Sequence, residues 1–160
     1  MSPLLRGLGF IVSLLVALML TLIVLPAWLA PLRPLWLPVV LVFWSLEAPE
    51  MPSLFLAFIL GLACDALFSS ALGTHALAFM LLVFLADRLR ASLALAPWWQ
   101  TALALAPLWA LFSAVMLGFD HLQHHPSNAL MRWTAAATSV VVWPLVAALL
   151  RPMATGERDE

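Results

Sequence analysis

Asp65 and His75 are the residues of this chain best placed to do chemistry, because each stands in or beside a long apolar stretch where a polar side chain needs a reason to be. Ala57, Gly61, Asp65 and Ser69 recur every four residues, so on a helix they form one stripe of small and polar groups that drifts slowly around the axis, with Cys64 beside it. A charge at the centre of a lipid-embedded helix costs about 2.5–3.5 kcal/mol on insertion scales, so that stripe is expected to face other helices. Two readings of Asp65 stand. In one it is a structural group held in a close-packed seam; in the other it is a ligand or proton site. His75 follows the turn signal Ser69-Ser70-Ala71-Leu72-Gly73-Thr74, and antiparallel helices joined there would set it at the depth of Asp65. It either pairs with that acid or opens its helix at the interface, among headgroups and water.

Other constellations carry less. Asp120, His121, His124 and His125 have spacings that suit zinc or nickel, yet they lie at a span end before Pro126, where a solvated loop is the commoner outcome, and no metal is assigned. Intramembrane proteolysis of the aspartyl type needs two facing carboxylates, whereas Asp65 is the one acid well inside a span. A serine type needs nucleophile and base on separate elements, but Ser69 and Ser70 sit in the turn that leads into His75. A glycine-rich phosphate loop and a zinc-protease helix motif are both missing. The reading is a protein that is not an enzyme and carries no cofactor.

The elements that must position these residues are set by composition. Of the 160 residues, 65% are hydrophobic and 9% charged, with a mean hydropathy of +1.08, so lipid is the solvent and the fold class is an all-α integral membrane protein. The net charge is −1 and the single cysteine, Cys64, is apolar in context, which leaves no case for nucleic acid or a disulfide framework. Six spans are expected, at about 8–25, 34–48, 53–68, 74–87, 100–118 and 130–150, forming one membrane domain over 1–150 with a short polar cytoplasmic tail over 151–160. The first is read as an anchor rather than a cleaved signal. The second is short and carries Pro38, so a re-entrant segment and a five-span count stay open. Asp87-Arg88-Leu89-Arg90 is expected to connect the fourth and fifth spans, and Pro107 to kink the fifth.

Six spans put Arg6, Arg88, Arg90, Arg151 and Arg158 on one side and Arg33 and Arg132 on the other, so the positive-inside rule places both termini in the cytoplasm. Trp28, Trp36, Trp98, Trp99 and Trp133 fall at belt positions, while Trp44, Trp109 and Trp143 lie deeper, where packing is the commoner role.

Arg33-Pro34 before the second span, Phe43-Trp44 followed by Pro49, Gly61-Leu62 with Asp65, and Leu72-Gly73-Thr74-His75-Ala76-Leu77, taken in that order, resemble the pattern of the MreD family of rod shape-determining proteins over the whole length. The resemblance implies a scaffold in the bacterial inner membrane, part of the cell-elongation machinery that makes peptidoglycan. It implies binding to MreC and links to the actin-like MreB, to RodA and to its penicillin-binding transpeptidase partner. It also implies a fold similar to the substrate-binding subunits of energy-coupling-factor transporters. Arg33, Pro34, Trp44, Gly61, Asp65, Gly73 and His75 are the binding or structural candidates. The alternative is a small-solute-binding transport subunit with Asp65, His75 and the deep tryptophans around a pocket, against which stands the scarcity of Asn, Gln, Ser and Thr in the spans. Self-association stays open.

Overall fold

The computed structural model describes residues 3–48, 50–51, 53–123 and 128–156, and all regular structure among them is helical. Its centre is α2 (Trp36–Glu47), in which every residue from Leu37 to Ser45 is buried. A helix apolar all round belongs inside a bundle rather than at its surface. Its 12 residues rise only about 18 Å, so it reaches less far than a lipid-spanning helix and is enclosed instead by neighbours. Those neighbours are α1 (Pro3–Leu22), α4 (Thr74–Leu93) and α7 (Ala129–Arg151).

The remaining helices lean on this frame. α3 (Leu54–Phe68) packs along α4, and α6 (Ala106–Leu122) packs against α4 and α7. α5 (Trp98–Ala104) precedes α6 with only Leu105 between them, and Pro107 sits in the first turn of α6, as expected of a proline that cannot donate into the helix before it. A 3-10 turn (Ala30–Leu32) rests on α7, and a π turn (Pro152–Gly156) folds back onto α1. Among the described residues, three stretches are long and apolar enough to cross a membrane: Leu4–Leu22, Trp98–Leu122 and Ala129–Ala154. α3 is apolar but shorter, at 15 residues.

Several boundaries differ from the sequence reading; α6, for one, carries Asp120 and His121 on to Leu122 where a loop is expected. α4 runs on to Leu93, so Asp87, Arg88 and Arg90 lie on a helix and not in a connection. Arg88 lays its guanidinium over the Phe84 ring, 5.1 Å from the centroid, one turn earlier on the same face. α1 occupies Pro3–Leu22 rather than 8–25, because Pro26 disfavours helical backbone at the residue before it. Local chemistry explains other ends. Ser53 Oγ accepts from Leu56 N–H at 3.1 Å to cap α3, and Asn128 Oδ1 accepts from Leu130 N–H at 3.1 Å to cap α7.

The tryptophans divide as their positions suggest. Trp44, Trp109 and Trp143 are buried, whereas Trp28, Trp98, Trp99 and Trp133 are exposed and Trp36 is half-buried. Trp109 and Trp143 lie 6.2 Å apart between centroids, and Phe43 meets both Trp44 (5.8 Å) and Trp143 (6.5 Å), so aromatic rings link α2 to α7 and α6.

Candidate functional site

The polar centre of the molecule is the hairpin between α3 and α4. Ser69 leaves α3 in the left-handed conformation, φ 53°, and Gly73 enters α4 with φ 102°, where a residue without a Cβ carries no strain. Between these two positions the chain reverses, and Asp65, fully buried, becomes its hub. One carboxylate oxygen accepts from Ser70 Oγ at 2.7 Å, from His75 N–H at 2.9 Å and from His75 Nδ1 at 2.8 Å. The other accepts from Gly73 N–H at 2.8 Å. Asp65 thus caps α4 from the neighbouring helix, placing its carboxylate against the first free amides, where an anion is favoured by the helix dipole.

Gly61, one turn before Asp65, lets this happen. A Cβ built there would lie 2.2 Å from Ala76 Cα and 2.4 Å from Ala76 N, so the two backbones touch with no room for any side chain. Ala57, Gly61, Cys64 and Asp65 form the buried face of α3, while the opposite face carries exposed Phe55, Ile59 and Leu67. Small residues at helical spacing permit the close approach, and the carboxylate fixes its register.

Ser70, His75 and Asp65 resemble a hydrolytic triad only in composition. Ser70 Oγ and Asp65 both meet Nδ1 of His75, the hydroxyl at 3.3 Å. A triad needs nucleophile and carboxylate on opposite ring nitrogens, so that one is deprotonated while the other orients the ring. Here the hydroxyl donates to the carboxylate, and the three groups tie a turn. Phe68 and Phe79 flank the imidazole at 5.5 and 6.0 Å between centroids.

His75 also lines a cavity of about 590 Å³ at this end of the bundle, walled by Phe79, Phe112 and Met116 and edged by Arg33, Asp120 and Arg132. Arg132 donates twice to one oxygen of Asp120, from Nε at 3.1 Å and Nη2 at 2.7 Å. Arg33 donates to the Ile23 carbonyl, and its Nε is buried without a partner among the described residues. Pro34 joins Arg33 in the cavity lining and leads into α2, where Leu35 N–H donates to Ser139 Oγ at 2.9 Å.

The candidates named from sequence therefore fall in three places. Gly61, Asp65, Gly73 and His75 make the hairpin, and Arg33 and Pro34 share a cavity with His75. Trp44 stands apart. Its Nε1 donates to Ser13 Oγ at 2.9 Å, and Ser13 in turn donates to the Phe10 carbonyl at 2.8 Å, so it joins α2 to α1. His124 and His125 lie outside the described residues; among those described, no group of three potential metal ligands occurs, and Asp120 is engaged by Arg132. Sequence reasoning missed Gln123, which donates to Thr74 Oγ1 at 3.0 Å and accepts from Ala71 N–H at 3.3 Å, binding the end of α6 to the hairpin.

Comparison with known proteins adds a family. The family model described as rod shape-determining protein MreD matches residues 1–153. A protein of Haemophilus influenzae named rod shape-determining protein MreD is 28% identical over 130 residues, which cover 79% of this chain and 78% of that protein. No solved structure matches the chain significantly.

Proposed function

Because the chain belongs to the MreD family of rod shape-determining proteins, we propose that it is a non-enzymatic scaffold of the bacterial cell-elongation machinery. On this reading it lies in the inner membrane, crosses it six times with α2 as a short second crossing shielded from lipid by the other helices, has both termini in the cytoplasm, and shares the architecture of energy-coupling-factor substrate-binding subunits. It binds MreC and helps link it to MreB and to the RodA–transpeptidase synthase.

The observation that carries the scaffold reading is the state of Asp65. Its carboxylate is fully buried, accepts four hydrogen bonds from its own hairpin and is not part of the cavity lining, so it is engaged in holding the fold rather than offered to a solute. The most polar group inside the bundle serves the bundle. One observation favours the transport alternative: the 590 Å³ cavity, which lies within the roughly 300–1,000 Å³ range of small-molecule sites.

Co-purification from a mild detergent separates the two. The scaffold reading expects stoichiometric recovery of the single-span partner MreC. Recovery of the chain alone from cells that contain that partner, together with micromolar binding of a vitamin-like solute, would replace it with the transport reading.

A further inference from the structure

The cavity of about 590 Å³ at the hairpin end is lined by two polar side chains that the fold does not use up. Arg33 donates to the Ile23 carbonyl, its Nε is buried without a partner, and among the described residues no carboxylate pairs with it. Asp120 receives both bonds from Arg132 on Oδ2, which leaves Oδ1 open to a further donor among the described residues. A buried charged donor without an acceptor is costly, so an acceptor from outside the chain is expected here. The charge balance says what kind. Arg33 and Arg132 line the cavity with Asp120, and Asp65 is bonded to His75 in the same wall, so two guanidinium groups stand with two carboxylates. A simple anion would upset that balance, whereas a zwitterion would keep it and pair both unused groups.

The mouth narrows the class further. Leu22 and Ile23, where α1 ends, and Phe68, where α3 ends, line the cavity and are exposed, so the opening is continuous with apolar surface of the kind a bilayer covers. We propose that the cavity holds the headgroup of one phospholipid that ends in a primary ammonium, of the phosphatidylethanolamine class. Its phosphate accepts from Arg33 Nε, its ammonium donates to Asp120 Oδ1, and its acyl chains leave over Leu22, Ile23 and Phe68. A soluble zwitterion would satisfy the two polar groups but not the apolar mouth. A choline head carries the same charges with no N–H for Oδ1, and a glycerol head has no cation. The proposal rests on the membrane setting put forward above and not on which partner the scaffold binds.

Native mass spectrometry of the full chain, delipidated in mild detergent, tests it with dioleoyl-phosphatidylethanolamine, dioleoyl-phosphatidylcholine, dioleoyl-phosphatidylglycerol and O-phosphoethanolamine as separate probes. One phosphatidylethanolamine is expected to be retained per chain, about tenfold more strongly than phosphatidylcholine, as one hydrogen bond to a charged group would give. Phosphatidylglycerol should rank with phosphatidylcholine, and the soluble head should be lost. This ranking uses the unaltered chain, so it does not depend on the folding of any variant. Arg33→Gln should weaken retention about fivefold. Asp120→Asn should erase the preference for the ethanolamine head. Ala135→Phe keeps every charge and adds a ring to the cavity wall, and it should also lower retention. Arg88→Gln should change nothing, because Arg88 lies over Phe84 and is not part of the lining. Equal retention of the three lipids, retention of O-phosphoethanolamine as strong as that of the lipid, or undiminished phosphatidylethanolamine binding in Arg33→Gln and Ala135→Phe would each overturn the assignment. A chain that recovers MreC but shows no preference among lipids loses this proposal alone, whereas one that prefers phosphatidylethanolamine and never recovers MreC loses only the scaffold reading.

Discussion

Asp65 and His75 are joined twice, through the backbone amide of the histidine at 2.9 Å and through its Nδ1 at 2.8 Å, both on one carboxylate oxygen. One residue of α3 thereby holds both the start of α4 and the orientation of the side chain that α4 presents to the cavity.

From sequence alone, asparagine looks like a sufficient stand-in for Asp65, since it keeps the shape. The structure argues otherwise. All the groups around the carboxylate are donors, so an amide NH₂ would turn a donor toward a donor. Asp65→Asn is expected to lose about 1–3 kcal/mol of stability, measured as unfolding in detergent, and Asp65→Ala at least as much. An unchanged Asp65→Asn protein would mean that the four bonds do not hold the hairpin.

Gly61→Ala should already separate α3 from α4, because a single methyl group would fall 2.2 Å from backbone. Overpacking of this kind costs about 1–3 kcal/mol, and Gly61→Leu should prevent assembly. Gly7→Ala serves as the control, since a Cβ there meets nothing within 4 Å. Thermal unfolding of the three variants side by side decides it; a Gly61→Ala protein as stable as Gly7→Ala would remove the seam from the account.

Two buried indoles offer a contrast. Trp44→Phe loses the bond to Ser13 and should be about 1 kcal/mol less stable. Trp109→Phe deletes an Nε1 that is buried without a hydrogen-bond partner among the described residues, so its loss should be smaller despite equal burial. The order of their melting temperatures is the readout, and the reverse order would contradict the assigned bonds.

Asp120→Asn is expected to weaken the tie between α6 and α7 that Arg132 makes with two hydrogen bonds. The pair is partly exposed, so about 1.5 kcal/mol is the expected loss, the lower end for a bond to a charged group. Exchanging the residues, Asp120→Arg with Arg132→Asp, should recover part of it. A double variant no better than the worse single one would show that the charges do not couple.

Reporter fusions at the two ends should report the same compartment, because the π turn after α7 packs on α1 and a Cβ at Gly9 would lie 3.3 Å from Met153 Cβ. The proposed orientation makes that compartment the cytoplasm. Opposite answers from the two fusions would break the fold described here.

What could be read in advance followed from local chemistry. The turn at Ser69–Thr74, the break near Pro107 and the buried set Trp44, Trp109 and Trp143 all have causes within a few residues of themselves. The extent of α4 was hidden, because Asp87, Arg88 and Arg90 read as a loop until Phe84 and a helix end are there to receive them. The bonds of Gln123 to the hairpin and of Ser139 to Leu35 were hidden for another reason. They join residues far apart in the chain, and neither end carries a local pattern that names the other.

Helix α2 has a consequence for the order in which the molecule is made. It is enclosed by α1, which precedes it, and by α4 and α7, which follow. Twelve residues give it little anchorage of its own in a bilayer, so its place is decided by helices the ribosome has yet to deliver. Until α7 arrives, the amide of Leu35 lacks the Ser139 hydroxyl that receives it. Completion of the bundle is therefore timed by translation, and the last long helix serves as the lock on one of the first.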